Sequence, residues 1–260
     1  MNIAARIEGV GFWCNGLPSW EAARAFVAGG ALPEQAPAKP SPQLLPPNER
    51  RRAPESVAVA LDVALAACEA AGRAPTELPS VFTSTHGDLS ITDYMCATLA
   101  SEPRSVSPTR FHNSVHNAAA GYWTIGAGCM APATAISAYD ASFAEGLLEA
   151  LMQLQAGAEA VLLVGYDTGS MGPLLSVHDV GGLLGGALVL GHDDGTRPGP
   201  RLTATLRDGA ADAAGPLGLH GARNPMAPML PLFDALAAGR GSARLHAGPG
   251  RVLAVEFAHG

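Results

Sequence analysis

Apolar positions recur along the chain with two periods, near two and near 3.6, and glycine or proline punctuates the changes between them. Ile3 to Phe12 alternates loosely and is bounded by Asn15-Gly16 and Pro18, which predicts a strand. Ser19 is placed to cap a helix over Trp20 to Ala28, closed by Gly29-Gly30. Glu55 to Ala71 puts Val57, Leu61, Leu65 and Cys68 on one helical face, and Gly72 ends it. A strand over Ser80 to Thr85 leads through His86-Gly87-Asp88 to a helix from Ser90 to about Leu99, with Ile91, Tyr94, Met95 and Leu99 on one side. Ala133 to Tyr139 is small and apolar, which predicts a strand in a buried sheet. Ser142 to Gln155 carries the clearest helical stripe, Phe143, Leu147, Leu148, Leu151 and Leu154, and Gly157 stops it. Strands follow at Glu159 to Tyr166, Gly181 to Gly191, Leu202 to Leu206 and Arg251 to Phe257, with a helix over Met229 to Ala238. Ala31 to Pro54 and Ser105 to Ala131 show no clean period and are expected to be irregular. Strands alternating with helices indicate an α/β layered fold.

Composition narrows this picture. The 260 residues are 48% hydrophobic and 15% charged, rich in apolar residues for an α/β domain, so part of the surface is expected to be covered by another subunit. No apolar run is long enough for a membrane span, and the N-terminus lacks the pattern of a signal peptide; a cytoplasmic protein is expected. A net charge of −7 argues against a nucleic-acid partner. Cys14, Cys68, Cys96 and Cys129 are scattered, with no metal or disulfide spacing, and read as small apolar residues in a reducing compartment.

The segment ATAISAYDASFAEG, Ala133 to Gly146, turns a strand directly into a helix with Asp140 at the corner. Free N–H groups and the helix dipole meet there. A cysteine at such a place becomes a thiolate nucleophile; an aspartate is a contented N-cap with a lowered pKa. Asp140 is therefore expected to be held by the amides of the turn.

This corner resembles the nucleophile corner of the β-ketoacyl synthases. There a Gly-Pro opens a small apolar strand that ends in Ala-Cys before a long helix, then Gly-Asp-Ala and an apolar strand. Here Ala131-Pro132, ATAISAY, Asp140, the helix, Gly157-Ala158-Glu159 and AVLLVGYD follow without gaps, and Asp140 falls on the cysteine. The run Ser114 to Gly121, which holds His116 and Asn117, is similar to the segment preceding that corner; GGALVLG and IEGVGFWCNG are similar to two of the family's strands. The resemblance covers Met1 to about Leu206. It implies a thiolase-like layered fold truncated in its C-terminal half: one domain over 1–260, with 1–200 like the synthase N-terminal half and 201–260 a shortened remnant.

Two departures set the functional expectation. The nucleophilic cysteine is missing, and His220 and His246 lack the neighbours of the family's catalytic histidines. Without thiolate and histidines, condensation lacks its chemistry. The resemblance then implies a non-catalytic subunit, a chain-length factor like those of aryl-polyene pathways of fatty-acid and polyketide type, with no cofactor. Its partner is a ketosynthase, or a second copy of itself, with an acyl carrier protein reached indirectly. The alternative is an acyl-thioester hydrolase or decarboxylase using Asp140, with His116, Asn117 and Ser142 as neighbouring candidates.

Three further signals weigh less. Asp167-Thr168-Gly169-Ser170 spells the aspartic-protease motif but ends an α/β strand, which makes it a chance match. His112 and His116 are four apart, yet their Asn, Ser and Gly neighbours favour a loop with structural histidines over a metal site. Arg50-Arg51-Arg52 reads as a solvated charge run, or as a docking patch for an acidic carrier protein.

Overall fold

The computed structural model describes residues 3–195 and 197–258. One eight-stranded sheet runs through the molecule. Its strands are β1 (Ile3–Cys14), β2 (Ser80–Thr83), β3 (Ala133–Ile136), β4 (Ala160–Asp167), β5 (Leu184–Gly191), β6 (Arg201–Asp208), β7 (Ser242–His246) and β8 (Arg251–Ala258). Their spatial order is β3-β2-β4-β5-β1-β6-β8-β7. β2 pairs in parallel with β3 and β4, and every other pairing is antiparallel.

Helices α1 (Trp20–Val27), α3 (Glu55–Ala71) and α7 (Ser142–Gln155) form where the apolar periods predict them. Ser19 caps α1 by accepting the Ala22 N–H, and Gly72 closes α3 in the left-handed conformation. Residues of the central strands point alternately to two cores. Leu162, Val164, Ala187 and Val189 pack with α3 and α6 (Ala118–Ala127). Val161, Leu163, Leu188 and Leu190 pack with α7, α1, α8 (Pro216–His220) and α9 (Leu230–Ala237) on the other face. Helices cover both faces of β4 and β5, which is why those strands read as unbroken apolar runs. On β6, β7 and β8 the buried positions Leu202, Ala204, Ala243, Leu245, Leu253 and Val255 all join the second core. The C-terminal segment thus extends the same sheet.

Several expectations are corrected. The strand at Ala133 stops at Ile136 and is not buried: β3 is an edge strand paired only with β2, and its residues are exposed or half-buried. The small residues of Ala133 to Tyr139 gave it the look of a buried strand, but it is not enclosed. The stretch Ser105 to Ala131 is not irregular; it folds into α5 (Pro108–His112) and α6. AAAGYWTIGA shows no helical stripe because Trp123 and Ala120 plug inward while Ile125 on the same helix faces out. The proline-rich segment before α3 holds a short helix α2 (Pro47–Arg52), started by a proline at its first turn, and the three arginines lie on it. Helix α4 (Leu89–Ser101) buries only Leu89 and Ile91, so the expected stripe through Leu99 does not pack. Strand β7 and helix α8 were not legible in the sequence.

Cys14, Cys68 and Cys129 are buried free thiols, and Cys96 is exposed. Burial pushes Cys14 up to about 11 and Cys68 up to about 12, so both are inert apolar residues. Among the described residues, no helix is long and apolar enough to cross a membrane.

Candidate functional site

The carboxyl ends of β2, β3 and β4 lie side by side, the position at which α/β sheets build their sites. A buried network makes the floor. Asp167, at the end of β4, accepts from Ser84 Oγ at 2.6 Å and from the Thr85 N–H at 2.8 Å. Ser84 Oγ in turn accepts the Gly87 N–H at 2.8 Å, and His116 Nε2 donates to the Ser84 carbonyl at 2.8 Å. Asn224 bridges the carbonyls of Asp167 and Gly182. The Asp167 of the DTGS run is therefore a locked structural carboxylate with no second aspartate facing it among these partners. His116 lies in the loop that its Asn, Ser and Gly neighbours suggest and is tied to the end of β2 by this bond.

Burial pushes the Asp167 carboxyl up to about 6, against the opposing pull of its Ser84 and Thr85 hydrogen bonds. A folded-state pKa above the unfolded value means that the folded protein binds this proton more tightly. Its contribution is complete below about pH 4 and is lost as pH rises to about 6, a change on the order of 3 kcal/mol. Urea unfolding from pH 4 to 7 should show that decline in wild type relative to Asp167→Asn. Parallel profiles for the two proteins would contradict the assignment.

The turn after β3 carries Asp140, but not as expected. Residues Tyr139–Ala141 form a short 3-10 turn, and α7 begins without any side-chain cap. Asp140 is exposed and holds no turn amide. Ser142 does that work: its Oγ accepts from the Ala138 N–H at 2.9 Å and donates to the Tyr139 carbonyl at 2.6 Å. Ser142 is 1% exposed, so its hydroxyl faces the turn and not the helix surface, and it is spent. The lock holds Tyr139 at φ +53, the one described non-glycine residue in that region. With the backbone thus bent, the Asp140 side chain projects outward. No hydrogen bond joins Asp140 to His116, Asn117 or Ser142 among the described residues, and Asn117 starts α6 without a side-chain bond.

Two histidines that the sequence did not single out stand beside the corner. His86, after β2, meets His178, from the loop after β4, with their Nε2 atoms 2.9 Å apart. The Tyr139 ring packs edge-on against His86. Burial, and then the neighbouring His178, lower the His86 pKa, while the Asp140 charge opposes them. The only signal available for His86 was its place just past a strand end; His178 had none. The assembly offers an imidazole pair and an outward carboxylate; of its buried hydroxyls, Ser142 is committed to the backbone and Ser84 to Asp167.

Residues 20–174 match the family model described as the β-ketoacyl synthase N-terminal domain. No curated protein matches the chain. Among solved structures, the chain is similar to one in the complex of the ketosynthase ApeO with its chain length factor ApeC from Xenorhabdus doucetiae: 25% identity, 98% of this chain and 99% of that chain, TM-score 0.76. A chain of the ishigamide ketosynthase/chain length factor shares the fold at 15% identity, with 98% and 99% covered and a TM-score of 0.75. The module 1 ketosynthase of the bacillaene synthase from Bacillus amyloliquefaciens FZB42 aligns over 82% of this chain but only 47% of its own, at 18% identity and a TM-score of 0.58. The fold is thus the thiolase-like ketosynthase fold at about half the length of that enzyme.

Proposed function

Because the chain belongs to the family of β-ketoacyl synthase N-terminal domains, we propose that it is a non-catalytic, chain-length-factor-like subunit that pairs with a ketosynthase. The pathway would be of fatty-acid and polyketide type, as in aryl-polyene synthesis, in the cytoplasm. The carrying observation is the corner itself: the turn is bent, its backbone is locked by Ser142, and the residue it presents is a carboxylate. The ketosynthase would supply the thiolate and the histidines, and a carrier protein would deliver acyl groups to it. Residues 201–260 would be the shortened remnant of the family's second half.

The surface supports pairing. β3 leaves one edge of its backbone unpaired by any described strand. Beside it Ile125 is 78% and Met130 96% exposed, with Tyr139 also open. Such a contiguous apolar edge marks a protein interface. Beside Ile125 lies a cavity of about 420 Å³ whose wall joins apolar Leu45, Val115, Ala118 and Tyr122 to the charged Glu49 and Arg52.

Co-expression with the cognate ketosynthase tests the proposal. The two chains should co-purify, and product chain length should change when this chain is omitted or exchanged. Separate elution together with an unchanged product would refute it. The isolated chain is expected to release no thiol from acyl-thioesters; release that disappears in Asp140→Asn would favour the hydrolase or decarboxylase reading, for which the His86–His178 pair would be the acid–base group.

A further inference from the structure

A second cavity, of about 460 Å³, opens between α2, α4 and α5. Arg52 and Arg110 stand on its wall with the hydroxyl-bearing Ser90, Ser107 and Thr109, and with Asn113. The arginines that form ion pairs among the described residues lie elsewhere, so neither of these guanidinium groups has a carboxylate partner. Arg110 is held in place by stacking over the Tyr94 ring, 4.1 Å from its centroid. Asn113 is only 4% exposed, and its Oδ1 has no hydrogen-bond partner. A buried amide oxygen left unpaired costs free energy that a ligand N–H or O–H would recover.

The geometry points to a binding site for a phosphate ester whose body carries a hydrogen-bond donor. Two guanidinium groups with the Ser107 and Thr109 hydroxyls beside them suit an anion with several acceptor oxygens, as a tetrahedral phosphate has; the Ser90 hydroxyl is already donated to Asp88 at 2.6 Å. The cavity exceeds the volume of a phosphate group alone, so the ligand has a body, and the unpaired Asn113 Oδ1 is the acceptor waiting for it. The N-terminus of α4 is not the source of attraction: Asp88 already caps it by accepting from the Ile91 N–H at 3.0 Å. The site stands apart from the Asp140 corner, and shares Arg52 and Thr109 with the 420 Å³ cavity beside Ile125.

Calorimetric titration of the full chain with glycerol 3-phosphate, inorganic phosphate and glycerol tests it. Glycerol 3-phosphate should bind best, inorganic phosphate more weakly, and glycerol not at all; lower ionic strength should tighten the first two. The Arg52→Gln/Arg110→Gln pair, at exposed positions where folding is retained, should weaken glycerol 3-phosphate by about tenfold or more. Asn113→Ala should erase the preference for glycerol 3-phosphate over phosphate. No binding of either phosphate at about 10 mM, or equal binding by the double variant, would overturn the site. An intact preference in Asn113→Ala would overturn the assignment of a donor-bearing body.

Discussion

Gly11→Ala is expected to cost the protein about 3 kcal/mol or more, enough to leave little of it folded. Helix α3 crosses β1 at backbone contact. A Cβ on Gly11 would lie 2.0 Å from the Val63 carbonyl oxygen, and one on Gly9 would lie 2.2 Å from that of Ala67. Both obstacles are backbone atoms of the helix, so no rotamer change relieves the overlap. α3 would have to retreat from the sheet and open the core around Val59, Val63 and Ala67, all fully buried. The urea midpoint and the soluble yield measure the effect. Gly121→Ala is the control: it lies inside α6 with nothing within 4 Å of the added carbon, and it should be neutral or stabilising by about 0.5–1 kcal/mol. A Gly11→Ala protein as stable as wild type would mean that α3 does not lie where the fold places it.

The second large effect concerns association. Ile125→Asp combined with Met130→Asp should leave the urea midpoint within about 0.5 kcal/mol of wild type, because both side chains are already in water. Binding to the cognate ketosynthase should nevertheless fall by about a hundredfold, roughly 3 kcal/mol, because two carboxylates would be desolvated without partners at an apolar interface. Analytical ultracentrifugation of the mixed chains reads this directly. Unchanged binding would move the contact surface away from the β3 edge and α6.

These two predictions rest on different kinds of evidence, and the contrast runs through the whole molecule. Gly9 and Gly11 were visible in IEGVGFWCNG as a strand with glycines on alternate positions, but the atoms they admit belong to residues more than fifty positions away. Ala133 to Tyr139 looked like sheet interior because small apolar residues carry no information about which side of a sheet is left open. Sheet order settled that, by placing β3 last.

The candidate site divides in the same way. Its location at a strand-to-helix corner with Asp140 was legible, and so was the fold family, because strand, turn and helix are contiguous in sequence. The capping role was not. An N-cap requires the carboxylate to fold back onto the amides of the helix start; here Ser142 ties the turn together through the Ala138 N–H and the Tyr139 carbonyl, and the positive φ at Tyr139 swings the next residue outward. The His86–His178 pair, joined across 92 positions, was beyond any local pattern.

By itself the sequence determined what local periodicity and spacing encode: the extents of α3 and α7, the buried strands β4 and β5, and a carboxylate in the turn between a strand and a helix. Only the tertiary structure decided which edge stays open, which hydroxyl locks the corner and which histidines meet. The open edge and the histidine pair depend on groups brought together across the sheet, and the lock at the corner, though local, depends on which neighbour satisfies the bent backbone.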